Sequence, residues 1–559
     1  MWSDRFRQNL SIPATFQPNG QSPDSTPTKV AILLAVTLCI GFYIFRSNSL
    51  IGDGLRYLPV LRTITPGAAP RIQPNSWRDV YRNHYNDLVV HNHVLFGAVI
   101  GTAFAIQQKL GIAGDAIIAM QAVNSFCAAV AAALFFLLGV RLGLPIWISL
   151  SITLGLSLSP TYLLAATNIA EVTLSLPFLA GTLLLLTNRQ FSGWTPVAAG
   201  VLVGLAGIFY AIAGFLALGI VVAMVLTRTT SRSSLRSLFL FLFSCGLVFV
   251  GIWVTVLIAS GYRTLESLRV AILQFPQEGT FIKFKLGSII ATVVGLTQAF
   301  FPVLPDDFAG LHSLIAGNVV AILRIATATL FVCTLLGATL YVLYKRLAFR
   351  EPVVLSCFVT FLLVEAACAK WDTYYQKLHL FALIFYWVMV LMALSRAQGS
   401  GFRWLILLFT SIVFLGGVSV LRKNIEPSQM QANARELEQI VGDGELVTTW
   451  EGDVLHMFMY SNGSNIVSLP ELAFTSHLDS EEAQRNLEAT IEQATMQGRS
   501  VYFYGVFDEK SGRAYDIYET RFREKSMTAY LSNLQQRSKI ILRLPQQSGG
   551  AIPLYRYAP

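Results

Sequence analysis

The sequence predicts a mainly α, polytopic helical membrane bundle with a small α/β domain at its C-terminal end. Three observations carry this. Apolar segments recur from residue 30 to residue 421, many of them near the roughly 20 residues that cross a bilayer. Only 13% of the 559 residues are charged and 54% are hydrophobic, whereas a soluble chain is about 25% charged. From residue 424 onward the composition becomes that of a soluble domain.

Residues 1–29 are polar and rich in Pro, Ser and Gln, which reads as a disordered cytoplasmic tail before an uncleaved first helix. The spans expected within the membrane domain (30–423) are 30–46, 94–108, 113–138, 145–162, 166–186, 197–226, 236–260, 317–344, 352–369, 376–395 and 403–421, about eleven in all. Each must be helical, because hydrocarbon offers no partner to an open sheet edge.

Charge sets the orientation. Residues 422–559 hold 14 basic and 18 acidic side chains, and the rest of the chain 27 basic and 14 acidic. Positive charge concentrated in the membrane part reads as topology and contact with anionic lipid, and excludes nucleic-acid binding as the main role. The basic loops at Arg228, Arg232 and Arg236, at Lys345, Arg346 and Arg350, and at Arg396 and Arg403 are placed in the cytoplasm by the positive-inside rule.

Three apolar segments lie between the first two of these loops, where an even number of crossings is required. The middle one, 286–303, is the shortest, and Pro302 and Pro305 interrupt its end. It is therefore expected to be re-entrant or interfacial. The N-terminus is then cytoplasmic, in an inner or plasma membrane. Segments 47–93, 139–144, 261–316 and 370–375 face outward with the domain 424–559. All six cysteines fall within or at the end of apolar spans, so they imply packing and no disulfide framework.

In the C-terminal domain, 428–441 and 480–498 have helical periodicity, whereas 445–449, 465–469, 500–506 and 539–544 read as strands.

The residues suited to chemistry gather at the outer face. Asp53 lies between Gly52 and Gly54 just beyond the first span, followed by Arg56 and Tyr57. Flanking glycines leave the carboxylate accessible, although a turn aspartate has the same pattern. The same loop ends with His84, Asp87, His91 and His93. A spacing of two puts His91 and His93 on opposite faces of a strand and not on one face of a helix, so the pair alone makes a poor metal site. Lys377 and His379 open the tenth span behind Trp371, Tyr374 and Tyr375, where they can hold phosphate or simply anchor the interface. Glu171 and Glu365 sit at or inside span edges, where burying an acid is costly. A carboxylate base beside cations is the combination that sugar transfer from a polyprenyl phosphate requires.

At this point the chain resembles the GT-C superfamily of integral-membrane glycosyltransferases, in particular its bacterial mannosyl- and arabinosyl-transferase-like branch that uses polyprenyl-phosphate sugars. The resemblance rests on Gly52-Asp53-Gly54 with Tyr57-Leu-Pro59, His91-Asn-His93-Val-Leu-Phe, Asn168-Ile-Ala-Glu171, the run from Gly200 through Gly204 to Gly207, and the Trp371–His379 loop. It implies Asp53 as catalytic base, inversion at the anomeric carbon, and Arg56, Tyr57, Asp87, His91, His93, Glu171, Lys377 and His379 as substrate-binding residues. The implied partners are a polyprenyl-phosphate sugar donor, a glycan, lipid or protein acceptor, and membrane lipids. His-Asn-His stands where the family often has His-Pro-Pro, so dependence on a divalent metal cation stays open. A transporter or lipid flippase and a non-catalytic scaffold of the same fold are the competing classes.

Overall fold

The computed structural model describes residues 25–48, 95–112, 116–187, 193–227, 232–259, 286–301, 319–371, 376–397, 400–425, 429–442, 444–448, 465–469, 472, 480–507, 526–545 and 551–558. The expected N-terminal tail lies almost wholly outside these residues, as does most of the loop 47–93.

The membrane part comprises α1 (Thr26–Ile44), α2 (Phe96–Lys109), α3 (Ala116–Arg141), α4 (Ile146–Ser157), α5 (Pro160–Thr167), α6 (Leu176–Leu186), α7 (Thr195–Phe209) and α8 (Phe215–Thr227). It continues through α9 (Arg232–Ala259), α10 (Leu286–Phe300), α11 (Val319–Lys345), α12 (Pro352–Trp371), α13 (Gln376–Arg396) and α14 (Ser400–Ile425). Seven of these helices are long and apolar enough to cross a membrane alone, and α4 and α5 together form a span bent by 70°. Exposed Leu33, Phe239, Leu323 and Leu415 on their outer surfaces are the lipid-facing counterpart of a core centred on α13, whose residues Leu380–Leu394 are all buried.

Hydrogen bonds fix which helix ends share a face. The Ser47 amide donates to the Thr167 carbonyl at 3.0 Å, and the Asn48 amide to the Asn424 carbonyl at 3.0 Å. Gln121 Nε2 donates to the Ser47 carbonyl at 3.0 Å. The C-terminal ends of α1, α5 and α14 and the N-terminal end of α3 therefore meet at one face, the Ser47 face. At the opposite face Arg396 Nε donates to Glu351 Oε1 at 3.1 Å, joining the end of α13 to the start of α12.

This geometry corrects three expectations. Segment 94–108 is not the second span: α1 ends and α3 begins at the same face, and α2 has only 14 residues, about 21 Å of helix. Phe96 and Ile100 pack instead on Ala116, Met120, Ile169, Leu174 and Phe209, so α2 is apolar because it lies against the bundle end. Segment 197–226 is two helices, since Tyr210 adopts an extended backbone (φ −156°, ψ 114°) and a 3-10 turn, Ala211–Gly214, follows. The position of a Cβ on Gly207 would be 3.6 Å from Gly214 Cα, as the chain folds back there. Finally, 139–144 follows α3 away from the Ser47 face and lies at the Arg396 face.

The parity argument for 286–303 fits the structure. Gly200, Gly204 and Gly207 of α7 meet Phe241, Cys245 and Phe249 of α9 in the same order. The two helices thus run parallel, and α9 ends at the Ser47 face, where α11 must begin. Between them α10 has 15 residues and ends with Phe300 packed on Tyr386 and Phe409 at centroid distances of 5.5 and 5.3 Å, midway along α13 and α14.

After α14 come α15 (Gln429–Val441), β1 (Glu445–Thr448), β2 (Asn465–Ser468), α16 (Ser480–Met496), β3 (Val501–Tyr504), α17 (Ser526–Gln536), β4 (Ser538–Pro545) and β5 (Ala551–Tyr557). The sheet order is β2-β1-β3-β5-β4. β1 pairs in parallel with β2 and β3, and β5 antiparallel with β3 and β4. All four β3 side chains are buried. Val501 and Phe503 join Leu487, Ile491 and Leu531 on one face, and Tyr502 and Tyr504 join Leu437 and Val441 on the other. A strand covered on both faces is continuously apolar for this reason.

Candidate active site

The Ser47 face is built from irregular backbone, which an apolar bundle tolerates only when its polar groups are paired. α5 stops at Thr167, and Asn168 is extended (φ −108°, ψ −163°). Two side chains of α3 hold this segment. Asn124 Nδ2 donates to the Asn168 carbonyl at 2.9 Å and to the Ala170 carbonyl at 3.0 Å, and Ser125 Oγ donates to the Ala166 carbonyl at 3.1 Å. Asn168 Oδ1 accepts the Ile169 amide at 3.0 Å. The clamp delivers Glu171, fully buried, to the start of the 3-10 turn Glu171–Ser175.

A second group lies where α12 and α13 meet near the same face. His379, in the first turn of α13, is fully buried, and its Nδ1 is 3.0 Å from Glu365 Oε1. Cys368, one helical turn beyond Glu365, completes a trio whose ligand atoms all lie within 4.8 Å of one another. Two residues after His379, the Phe381 ring packs against Tyr210 at a centroid distance of 5.4 Å, tilted by 33°, tying α13 to the break between α7 and α8.

Of the residues singled out in the sequence, Glu171 and His379 are therefore buried on the Ser47 side, and His379 is paired with Glu365. Lys377 lies on the first turn of α13. Asp53, Arg56, Tyr57, Asp87, His91 and His93 lie outside the described residues. Sequence reasoning missed Gln121, Asn124, Asn424 and Cys368. Amides inside apolar helices and the three-residue spacing of Glu365 and Cys368 were the available signals.

No family model and no curated protein sequence matches this chain. Its fold matches the crystal structure of ArnT from Cupriavidus metallidurans bound to undecaprenyl phosphate, with a TM-score of 0.55 at 10% identity over 96% of this chain and 98% of that one. The archaeal oligosaccharyltransferase AglB from Archaeoglobus fulgidus, in complex with an inhibitory peptide and a dolichol-phosphate, aligns with a TM-score of 0.49 at 12% identity, over 96% of this chain and 75% of that one. The first match places the chain among multi-pass membrane proteins of one architecture. The likeness is one of fold: a helical membrane bundle of GT-C type with a small α/β domain at its C-terminal end.

Proposed function

We propose that the protein is a glycosyltransferase that moves a sugar from a polyprenyl-phosphate donor to a glycan, lipid or protein acceptor at the Ser47 face. The observation that carries this reading is the fold shared over 96% of the chain with a structure that holds undecaprenyl phosphate. Charge supports an extracytoplasmic Ser47 face: Arg141, Arg232, Lys345, Arg346, Arg350 and Arg396 all gather at the other end of the bundle. The domain 424–559 then lies outside with the site.

Asp53 acts as general base. It takes the proton of the acceptor hydroxyl as that oxygen attacks the anomeric carbon. The bond from that carbon to the phosphate oxygen breaks, the lipid phosphate leaves with the electron pair, and the configuration inverts. Lys377 and Arg56 balance the leaving phosphate charge. Tyr57, Asp87, His91, His93, Glu171 and His379 shape the donor and acceptor cavity.

The test is transfer of labelled sugar from synthetic polyprenyl phosphates by the protein in liposomes. Asp53→Asn is expected to abolish transfer while insertion and folding persist. Full transfer by that variant would overturn the role of Asp53, and counterflow of an unaltered lipid-linked sugar would identify a flippase instead.

A further inference from the structure

We propose that Glu365, Cys368 and His379 form a transition-metal site, selective for zinc, at the Ser47-side end of the α12–α13 hairpin. Glu365 and Cys368 are three residues apart on α12 and so share one helix face. His379 approaches from the first turn of α13, with Nδ1 3.0 Å from Glu365 Oε1. Cys368 and His379 are fully buried, and the Glu365 side chain is 13% exposed. The donor atoms fall within 4.8 Å of one another. Around a tetrahedral zinc with bonds of 2.0–2.3 Å, donors stand roughly 3.3–3.8 Å apart, so small side-chain rotations close the site.

Charge and donor type both select the ion. A thiolate and a carboxylate cancel the two positive charges of zinc, and a neutral imidazole adds none. The loaded site is then uncharged, the least costly state in a low-dielectric bundle. Magnesium and calcium require oxygen donors, whereas a sulfur, nitrogen and oxygen set suits zinc or cobalt. Three protein ligands leave a fourth position for water or an anionic oxygen. The site does not depend on Asp53 or on sugar transfer, and its test reads metal alone.

The full-length protein in nanodiscs is stripped with chelator, reloaded with zinc and washed, and its metal content is measured. Stoichiometric zinc is expected. Cobalt in its place is expected to show a thiolate-to-cobalt charge-transfer band and the intense visible bands of a four-coordinate ion. Cys368→Ser should lose the charge-transfer band, and His379→Gln should lower zinc affinity at least tenfold. Cys357→Ser, which removes a buried thiol of the same helix outside the trio, should retain both properties. Failure to take up zinc, or a charge-transfer band that survives Cys368→Ser, overturns the proposal. Glu365→Gln, which preserves shape, provides a second variant that must weaken binding if Cys368→Ser does not fold.

Discussion

Asn424, near the end of the last membrane helix, donates its side-chain amide to Thr167 Oγ1 at 3.0 Å and to the Phe45 carbonyl at 3.2 Å. One side chain thereby joins the ends of α1, α5 and α14 at the Ser47 face. Its own carbonyl takes the Asn48 amide at 3.0 Å, so the chain leaving α1 is aligned by the helix that leads to the C-terminal domain.

Replacing Asn424 with Leu removes both side-chain bonds and leaves the Phe45 carbonyl without this donor. The expected loss is about 1–3 kcal/mol of stability. Thermal unfolding of the purified protein in detergent should show a lower Tm, and an unchanged Tm would mean that water replaces the amide at no cost.

The run Gly200, Gly204 and Gly207 is a helix-packing seam. A Cβ on Gly200 would overlap the Phe241 carbonyl and Ser244 Oγ, and one on Gly204 would sit 2.9 Å from the Cys245 carbonyl. Close backbone approach of this kind is how apolar helices gain contact in lipid. Gly200→Ala should cost about 1–3 kcal/mol through overpacking, read as lower Tm and yield of folded protein. Gly246→Ala in α9, where a Cβ meets nothing within 4 Å, should be close to neutral. Equal behaviour of the two variants would refute the seam.

Much of this fold is legible in the sequence, because a span must be long and uncharged and because charge asymmetry constrains parity. The assignment of 286–303 as non-spanning follows from counting alone. The helices 94–108 and 197–226 were misread for physical reasons. The apolar face of α2 covers Met120 and Ile169 with the same composition it would show to lipid. The break at Tyr210 carries no proline or charge to announce it, only flanking glycines at 207 and 214. The two differences offset in the count of crossings, so the parity on which the charge argument rests is unchanged. For the site, Glu171 and Glu365 are legible as acids in apolar surroundings, whereas the pairing of Glu365 with His379 requires the fold of the α12–α13 hairpin.

These corrections make an opposite prediction for two exposed side chains. Leu110, just after α2, is 68% exposed at the Ser47 face, and Trp194, just before α7, is 83% exposed at the Arg396 face. In a background lacking the native cysteines, Leu110→Cys should react with an impermeant maleimide only from outside the cell. Trp194→Cys should react only in inverted vesicles. Labelling of both from one side would contradict this arrangement of α2, α6 and α7.

Burial of Tyr504 in the sheet, opposed in part by a side-chain hydrogen bond with Asn433, raises its pKa above the ordinary tyrosine value. The phenol is neutral when protonated, so the folded state holds the proton more tightly than the unfolded chain. Stability from this group is fully present below the unfolded value of about 10 and is lost as pH rises through the higher folded value. Tyr504→Phe removes the hydrogen bond with Asn433 and should lower stability by about 1 kcal/mol at neutral pH. It also removes the titration. The stability gap between wild type and variant should therefore narrow as pH rises from about 9 to 12. Tyr530, whose pKa burial also raises, is present in both proteins and cancels from the difference. Unfolding of the C-terminal sheet followed by circular dichroism in the full-length protein measures the gap. A gap constant across that range would show that Tyr504 ionises without cost in the folded state.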